Sequence, residues 1–500
     1  MAQRHMDRLT SFDTSFLANE RSNGHMAIGA VLVCDGEPPS QEDFATHIRS
    51  RVHHLPRLRQ RLAFPPLGLG TPFWVDDPDF QLTNHLSRVK LPAPGDEAAF
   101  HDLVGEVLSP PLDRSRPLWQ LALVEGLEGD RFAIVYKTHH ALADGFSAVD
   151  IGKLLFDPEA NPVPSREEAP WDPQQPPTRG ALLARAFSGV WATVRRLTRW
   201  LGNAARQPKR ARKRAADGVT GLWEVTSAWF KPAPKVPLNV DIGPARSFAW
   251  AEFPLADVKQ VKNALGVTVN DVILAATAGA LRRWLHDREV ATEGIELKAL
   301  VPVSVRTIDE EGELGNRLTA MRGPLPVGIE DPVERLRAVH LGMDELKSSK
   351  QPLGAEAIWG LNDWFRDFAP PLLLLPTAAI NFSTRLFNLL VTNFPGPQIP
   401  FYVLGREVTG VFPVGFLARR HALAIAIVSY NGKVGFGILA DKASMPDVEK
   451  LSGYLGEAVE ELRAAARIAS GGKEGDDDGD QLAGDTQPRF AREREQLREA

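Results

Sequence analysis

The chain is nearly devoid of cysteine, and that scarcity narrows its chemistry at once. Cys34 is the only one in 500 residues, which excludes a disulfide framework and a cysteine-rich metal site and fits a reducing compartment. A long hydrophobic run is also missing. The best candidate, the charge-free stretch 368–384, is interrupted by Pro370, Pro371, Pro376 and Asn381. It falls short of the roughly 20 apolar residues a membrane-spanning helix needs. Residues 1–8 carry no apolar stretch of the signal-peptide kind. There is no Walker loop, no GxGxxG fingerprint, no GxSxG elbow and no HExxH pair, so phosphoryl transfer, hydride transfer, serine hydrolysis and zinc proteolysis have no support. A net charge of −5 argues against a general nucleic-acid binder. What remains is an ordinary globular composition, 43% hydrophobic and 24% charged.

The organisation follows from texture. Residues 1–157 alternate short strands and helices. Ala27 to Cys34 reads as a strand, Gln41 to Leu62 as an Arg-rich helix, and Trp119 to Val124 with Phe132 to His140 as two strands of a hairpin. Residues 158–240 form a Pro-rich, acidic linker followed by a basic amphipathic helix. From Arg179 to Arg214 there are eleven Arg or Lys and no Asp or Glu. Such a helix suits either an anionic membrane surface or a solvated crossover packed on the body, and the first use is preferred. Globular patterning resumes over 241–470. Val272 to Leu285, Pro332 to Met343 and Pro446 to Ile468 have helical spacing. Leu297 to Arg306, Phe382 to Val391, Val411 to Phe416, Ala422 to Val428 and Lys433 to Leu439 have strand character. Residues 471–500 are low-complexity and charged, as in a disordered tail.

The densest chemistry lies in Thr138-His139-His140-Ala141-Leu142-Ala143-Asp144-Gly145, an HHxxxDG pattern. Acyl transfer to an alcohol or amine needs a base, and a histidine near its working pKa at neutral pH supplies one. Alternation along the strand puts Phe132, Ile134, Tyr136, Thr138 and His140 on one face. His139 falls on the other with Ala133, Val135 and Lys137, so the two histidines cannot share a task. His140 is the candidate general base. Asp144 is open to four uses: orienting His140, acting as a second base, pairing structurally with an arginine, or capping the helix that follows. The arginine pairing is preferred, with Arg306 first and Arg317 second as partner. Gly145 leaves space beside the imidazole. Pro117, Leu118 and Trp119 open the strand that pairs with the histidine strand, either as core or as pocket lining. Asn270 and Asp271 follow Thr268 in a capping-box spacing, and Asn270 has a second use as a donor in the active site. The pair His53-His54 lacks the downstream Asp-Gly.

Taken in order, these motifs resemble the bacterial wax ester synthase/diacylglycerol acyltransferase family. That family sits within the superfamily that also holds chloramphenicol acetyltransferase-like enzymes and peptide-synthetase condensation domains. Residues 9–16 look like its N-terminal start. Pro117-Leu118-Trp119 matches its PLW motif and Asn270-Asp271 its ND motif. Val301 to Arg306, including Ser304 and Arg306, with Gly315-Asn316-Arg317, resembles a third block, and Thr392 to Pro397 a late NxPGP-like block. The resemblance runs from about residue 7 to about 465.

It implies an α/β fold of two chloramphenicol acetyltransferase-like sandwich domains with an active-site tunnel between them and His140 midway along it. It further implies that acyl-CoA is a co-substrate, with no other cofactor and no metal, and that diacylglycerol or a fatty alcohol accepts the acyl group. The protein would work in the cytoplasm, peripherally on the inner face of the plasma membrane and on lipid droplets. Two rivals stand beside this expectation: an amide-forming, condensation-type enzyme, and a catalytically idle membrane or droplet coat protein.

Overall fold

The computed structural model describes residues 5–20, 23–66, 71–143, 154–157, 159–161, 171–185, 195, 198, 232–304, 318–348, 384 and 386–470. Its first unit is built from β1 (Met6–Arg8), α1 (Ser11–Asn19), β2 (Ala27–Asp35), α2 (Gln41–Val52), β3 (Gln60–Ala63), β4 (Phe73–Asp76), β5 (Leu86–Lys90), α3 (Glu97–Leu108), β6 (Trp119–Leu127), β7 (Arg131–His139) and the short α4 (His140–Ala143). The hairpin expected near Glu125 to Asp130 joins β6 and β7, with Trp119 opposite Thr138. β7 in turn pairs antiparallel with β2, which sets His139 opposite Ala27.

Period-two alternation divides this sheet as the sequence requires. Ala133 and Val135 join one core, with Val31 and Val33 from β2. Phe132, Ile134 and Tyr136 join another, with Phe44 and Ile48 of α2. Two local expectations are corrected. The helix expected from Gln41 to Leu62 stops at Val52. Beyond it Pro56 opens a short 3₁₀ turn and the chain leaves as β3, since proline cannot continue a helical ladder. His140 is not the last strand residue but the first of α4, and its backbone N–H donates to the Met26 carbonyl at 2.8 Å. The decoy histidines lie just past the end of α2, ring against ring.

The second unit contains β8 (Arg246–Pro254), α5 (Leu255–Leu265), α6 (Val269–His286), β9 (Leu297–Ser304), β10 (Leu318–Leu325), α7 (Pro332–Ser348), β11 (Leu389–Pro395), β12 (Tyr402–Val403), β13 (Arg406–Val414), β14 (Leu423–Tyr430), β15 (Lys433–Asp441) and α8 (Glu449–Ala469). Its sheet runs β10-β9-β11-β14-β15-β8. On α8, Leu451, Leu455, Ala458, Leu462 and Ala466 form the buried stripe of an amphipathic helix. The strand expected at Phe382 to Val391 begins later, at Leu389.

The chain then crosses over. Strands β12 and β13, which the sequence division groups with residues 241–470, extend the first unit's sheet, ordered β12-β13-β2-β7-β6-β5. The crossing is close. A Cβ on Gly437 of β15 would lie 1.8 Å from the Pro413 carbonyl oxygen of β13, so only glycine lets the two backbones meet there. A small sheet, β1-β4-β3, receives the start of the basic segment: residues 179–185 are helical, and Leu182 packs on Phe73 and Val75. The rest of that segment's proposed helix lies outside the described residues, apart from single positions, and so does the tail. Among the described residues, no single helix is long and apolar enough to cross a membrane.

Candidate active site

The histidine pair sits where β7 ends and α4 begins, and its two rings have different surroundings. His139 is buried. Its Nδ1 accepts the Ala141 N–H at 3.0 Å, which leaves the ring proton on Nε2, 3.6 Å from the Glu20 carboxylate. Glu20 also takes Nε–H of Arg114 at 2.7 Å. Burial alone would raise the Glu20 carboxyl, but His139 and Arg114 outweigh it and hold it at about 2. His139 is therefore an oriented ring beside a permanent carboxylate.

His140 turns to apolar surroundings. Its ring stacks on Phe16 of α1 at 3.8 Å and 14°, and Phe416, just past β13, meets it edge-on at 5.6 Å. Burial among these rings, helped by the neighbouring His139, lowers its pKa to about 4. The residue keeps partial exposure. An imidazole in this state is neutral at pH 7, with a lone pair to accept a proton.

The PLW residues are structural supports for this corner. The Leu118 carbonyl accepts the His139 N–H and the Thr138 hydroxyl, both at 3.0 Å. Trp119 is buried, stacks on His85 at 4.5 Å, and donates its indole N–H to the Leu58 carbonyl at 2.8 Å. Pro117 is buried beside them.

The ND residues divide. Asp271 completes the capping box with Thr268 and accepts from Nδ1 of His340 on α7 at 2.8 Å. Burial opposes its ionisation, but His340 and Thr268 win and lower its pKa. Asn270 instead receives the amide N–H of Asn393, from the late NxPGP-like block, at 3.3 Å. The backbone of Ser304 ends β9, opposite Leu318. Asp144, Gly145, Arg306 and Arg317 lie outside the described residues, as does the 144–306 pairing.

Glu20, Phe16 and Phe416 were absent from the sequence-based candidates. A signal for the first two existed: Phe16 and Glu20 are four apart, which places them on one face of a helix. Nothing local marks Phe416. A separate cleft of about 290 Å³ lies between the sheets, lined by Arg131, Trp250, Phe412 and Lys433 among others. Arg131 opens β7 and His139 closes it, roughly 26 Å away, so this cleft is not the histidine site. Among the described residues no group of three His, Cys, Asp or Glu side chains is placed to hold a metal.

Two mixed sheets, the first completed by β12 and β13 from the C-terminal half, with a histidine pair where a central strand ends, are the architecture of a two-unit acyltransferase. Comparison with known proteins makes the assignment finer. The model for the wax ester synthase/diacylglycerol acyltransferase catalytic domain matches residues 9–273, and that for the WS/DGAT C-terminal domain matches 314–463. The chain belongs to the wax ester synthase/diacylglycerol acyltransferase family. It is 32% identical over 466 residues to the probable diacylglycerol O-acyltransferase tgs1 of Mycobacterium tuberculosis, covering 92% of this chain and 97% of that one. A second relative in that organism, the putative diacylglycerol O-acyltransferase Rv1760, is 33% identical over 477 residues, covering 91% and 90%.

Among solved structures, the wax ester synthase/diacylglycerol acyltransferase from Marinobacter aquaeolei VT8 superposes with a TM-score of 0.64. It is 26% identical, with 92% of this chain and 99% of that one covered. A mutant starter condensation domain of rhizomide synthetase RzmA, in complex with C8-CoA and Leu-SNAC, matches at a TM-score of 0.51 and 15% identity, covering 93% and 95%. That likeness is one of fold.

Proposed function

We propose that this protein is an O-acyltransferase that moves a long-chain acyl group from acyl-CoA to the hydroxyl of diacylglycerol, with fatty alcohols as further acceptors that yield wax esters. The observation that carries the chemistry is the neutral His140 imidazole at the Phe16–Phe416 corner. The acceptor class rests on family membership and on the relatives named as diacylglycerol O-acyltransferases.

In this mechanism the acceptor hydroxyl and the acyl-CoA thioester meet at His140. The imidazole takes the hydroxyl proton as the oxygen attacks the thioester carbonyl. A tetrahedral oxyanion forms, and Asn270 is our candidate donor to it. Collapse breaks the carbon–sulfur bond, and the imidazolium returns its proton to the leaving CoA sulfur. Holding both substrates at one base, in a tunnel between the two units, supplies much of the rate. His139 with Glu20, and Asp144 with Arg306, keep the motif in shape. The basic segment 185–214 lays the enzyme on an anionic membrane surface or lipid droplet, on the cytoplasmic side.

The test is thiol release from palmitoyl-CoA with dioleoylglycerol or hexadecanol as acceptor. Wild type is expected to release CoA only when an acceptor is present, and His140→Ala to lose about 10²-fold or more. No acceptor-dependent release from wild type would sink the proposal.

A further inference from the structure

The His140 amide is held by the Met26 carbonyl, and Met26 belongs to a short loop, residues 23–26, that the second unit grips. Arg246, the first residue of β8, is 2% exposed. Its guanidinium donates to the Asn23 carbonyl and, at 2.8 Å, to the Gly243 carbonyl of its own unit. The Asn23 amide returns a bond to the Ile242 carbonyl at 3.1 Å. On the loop's other side, the Arg246 backbone N–H donates to the Ser109 hydroxyl at 2.9 Å, at the end of α3. The Ser109 carbonyl accepts Nε2–H of His25 at 3.0 Å.

One close approach and one ordinary van der Waals contact form this junction. A Cβ on Gly105 of α3 would stand 2.6 Å from the Arg246 carbonyl oxygen, so helix and strand meet backbone to backbone. A Cβ on Gly24 would lie 3.7 Å from the Leu417 carbonyl oxygen, one residue after the Phe416 ring that faces His140. The loop that holds His140 by its backbone is thus framed by Ile242, Arg246 and Leu417 of the second unit and by Ser109 of the first.

We infer that Arg246 is a positioning residue for His140: it ties the 23–26 loop to the second unit, so the seating of one unit on the other sets where the imidazole stands. The inference rests on His140 being the base. An arginine is suited to the task because its five N–H donors sit in a rigid planar fork, whereas an ammonium's three donors turn freely on a flexible stem. A displaced loop moves Met26, and the His140 amide moves with it. A shift of about 1 Å at a reacting group costs up to about 10²-fold in rate.

The experiment is a double-mutant cycle of Arg246→Lys with His140→Ala, read as kcat and KM with palmitoyl-CoA and dioleoylglycerol. Arg246→Lys is expected to lower kcat by about tenfold with KM within about twofold. It is also expected to raise the acid limb of the kcat/KM profile toward the ordinary histidine range, as the ring leaves its phenyl neighbours. In the His140→Ala background it should change the residual rate no further. Asn23→Ala, which removes only the bond to Ile242 and leaves Arg246 in place, should show the same pattern more weakly and keep the protein folded if Arg246→Lys does not. Equal loss in both backgrounds with an unmoved acid limb would overturn the inference and leave Arg246 a fold-holding residue. Full activity of His140→Ala would instead overturn the base assignment, and the inference with it.

Discussion

Glu20 is the residue whose neighbours say most about the histidine pair. Its carboxylate stands 3.6 Å from the protonated nitrogen of His139 and is held by Arg114. With its pKa near 2 it stays ionised across any working pH. It fixes the ring whose backbone N–H and neighbouring peptide lead directly into His140. Glu20→Gln removes the charge and leaves the Arg114 guanidinium without its counterion. We expect kcat to fall by about tenfold and stability by about 1–3 kcal/mol. Steady-state kinetics and urea unfolding measure the two. A variant with unchanged kcat would dissociate Glu20 from the chemistry.

Among the elements, α6 shows how a motif can be spent on structure. Thr268 accepts the Asp271 N–H at 3.2 Å, and Asp271 accepts the Thr268 N–H at 2.9 Å, so two orphan donors at the helix start are satisfied reciprocally. Asp271 then also binds His340 and ties α7 to the same spot. Thr268→Ala removes one cap bond, at a cost of about 1 kcal/mol. Asp271→Ala removes the cap and strands the His340 contact, and is expected to cost more. Chemical denaturation of the two variants orders them. Equal losses would mean that His340 contributes nothing through Asp271.

At the scale of the whole molecule, the units are interleaved rather than merely adjacent. The close contact of Gly437 with Pro413 and the passage of β13 beside β2 make one unit's sheet depend on the other's chain. Burial of histidines across both units then controls acid stability. His25, His47, His101, His140 and His421 are all pushed down to about 4, chiefly by burial. Unfolded, they take up protons near 6.5. The unfolded state therefore binds more protons between those values, and stability falls as pH drops from 6.5 toward 4. Each group contributes up to about 1.4 kcal/mol per pH unit in that window. The midpoint of thermal unfolding at pH 5 is expected to lie below that at pH 7.5 by on the order of 10 °C. Equal midpoints would mean that these rings titrate as exposed histidines do.

Much of this protein is legible in its sequence, where the physics is local. Alternation along Arg131 to His139 separates the face of His139 from the face of Tyr136. The spacing of Thr268 and Asp271 announces a capping box. The order of short motifs points to the family. Each depends on neighbours within a few residues, where strand and helix geometry leave little freedom. The exchange of β12 and β13 into the first sheet was not legible, because strand order depends on which distant segment covers an edge, and nothing in residues 402–414 names β2 as the partner. Nor was the setting of His140. Phe16 and Phe416 come from opposite ends of the chain, and Met26 and Arg246 reach it only through the closed junction. Local sequence marked the histidine pair as the candidate site. Long-range packing alone decided that one histidine faces a carboxylate and the other two phenyl rings.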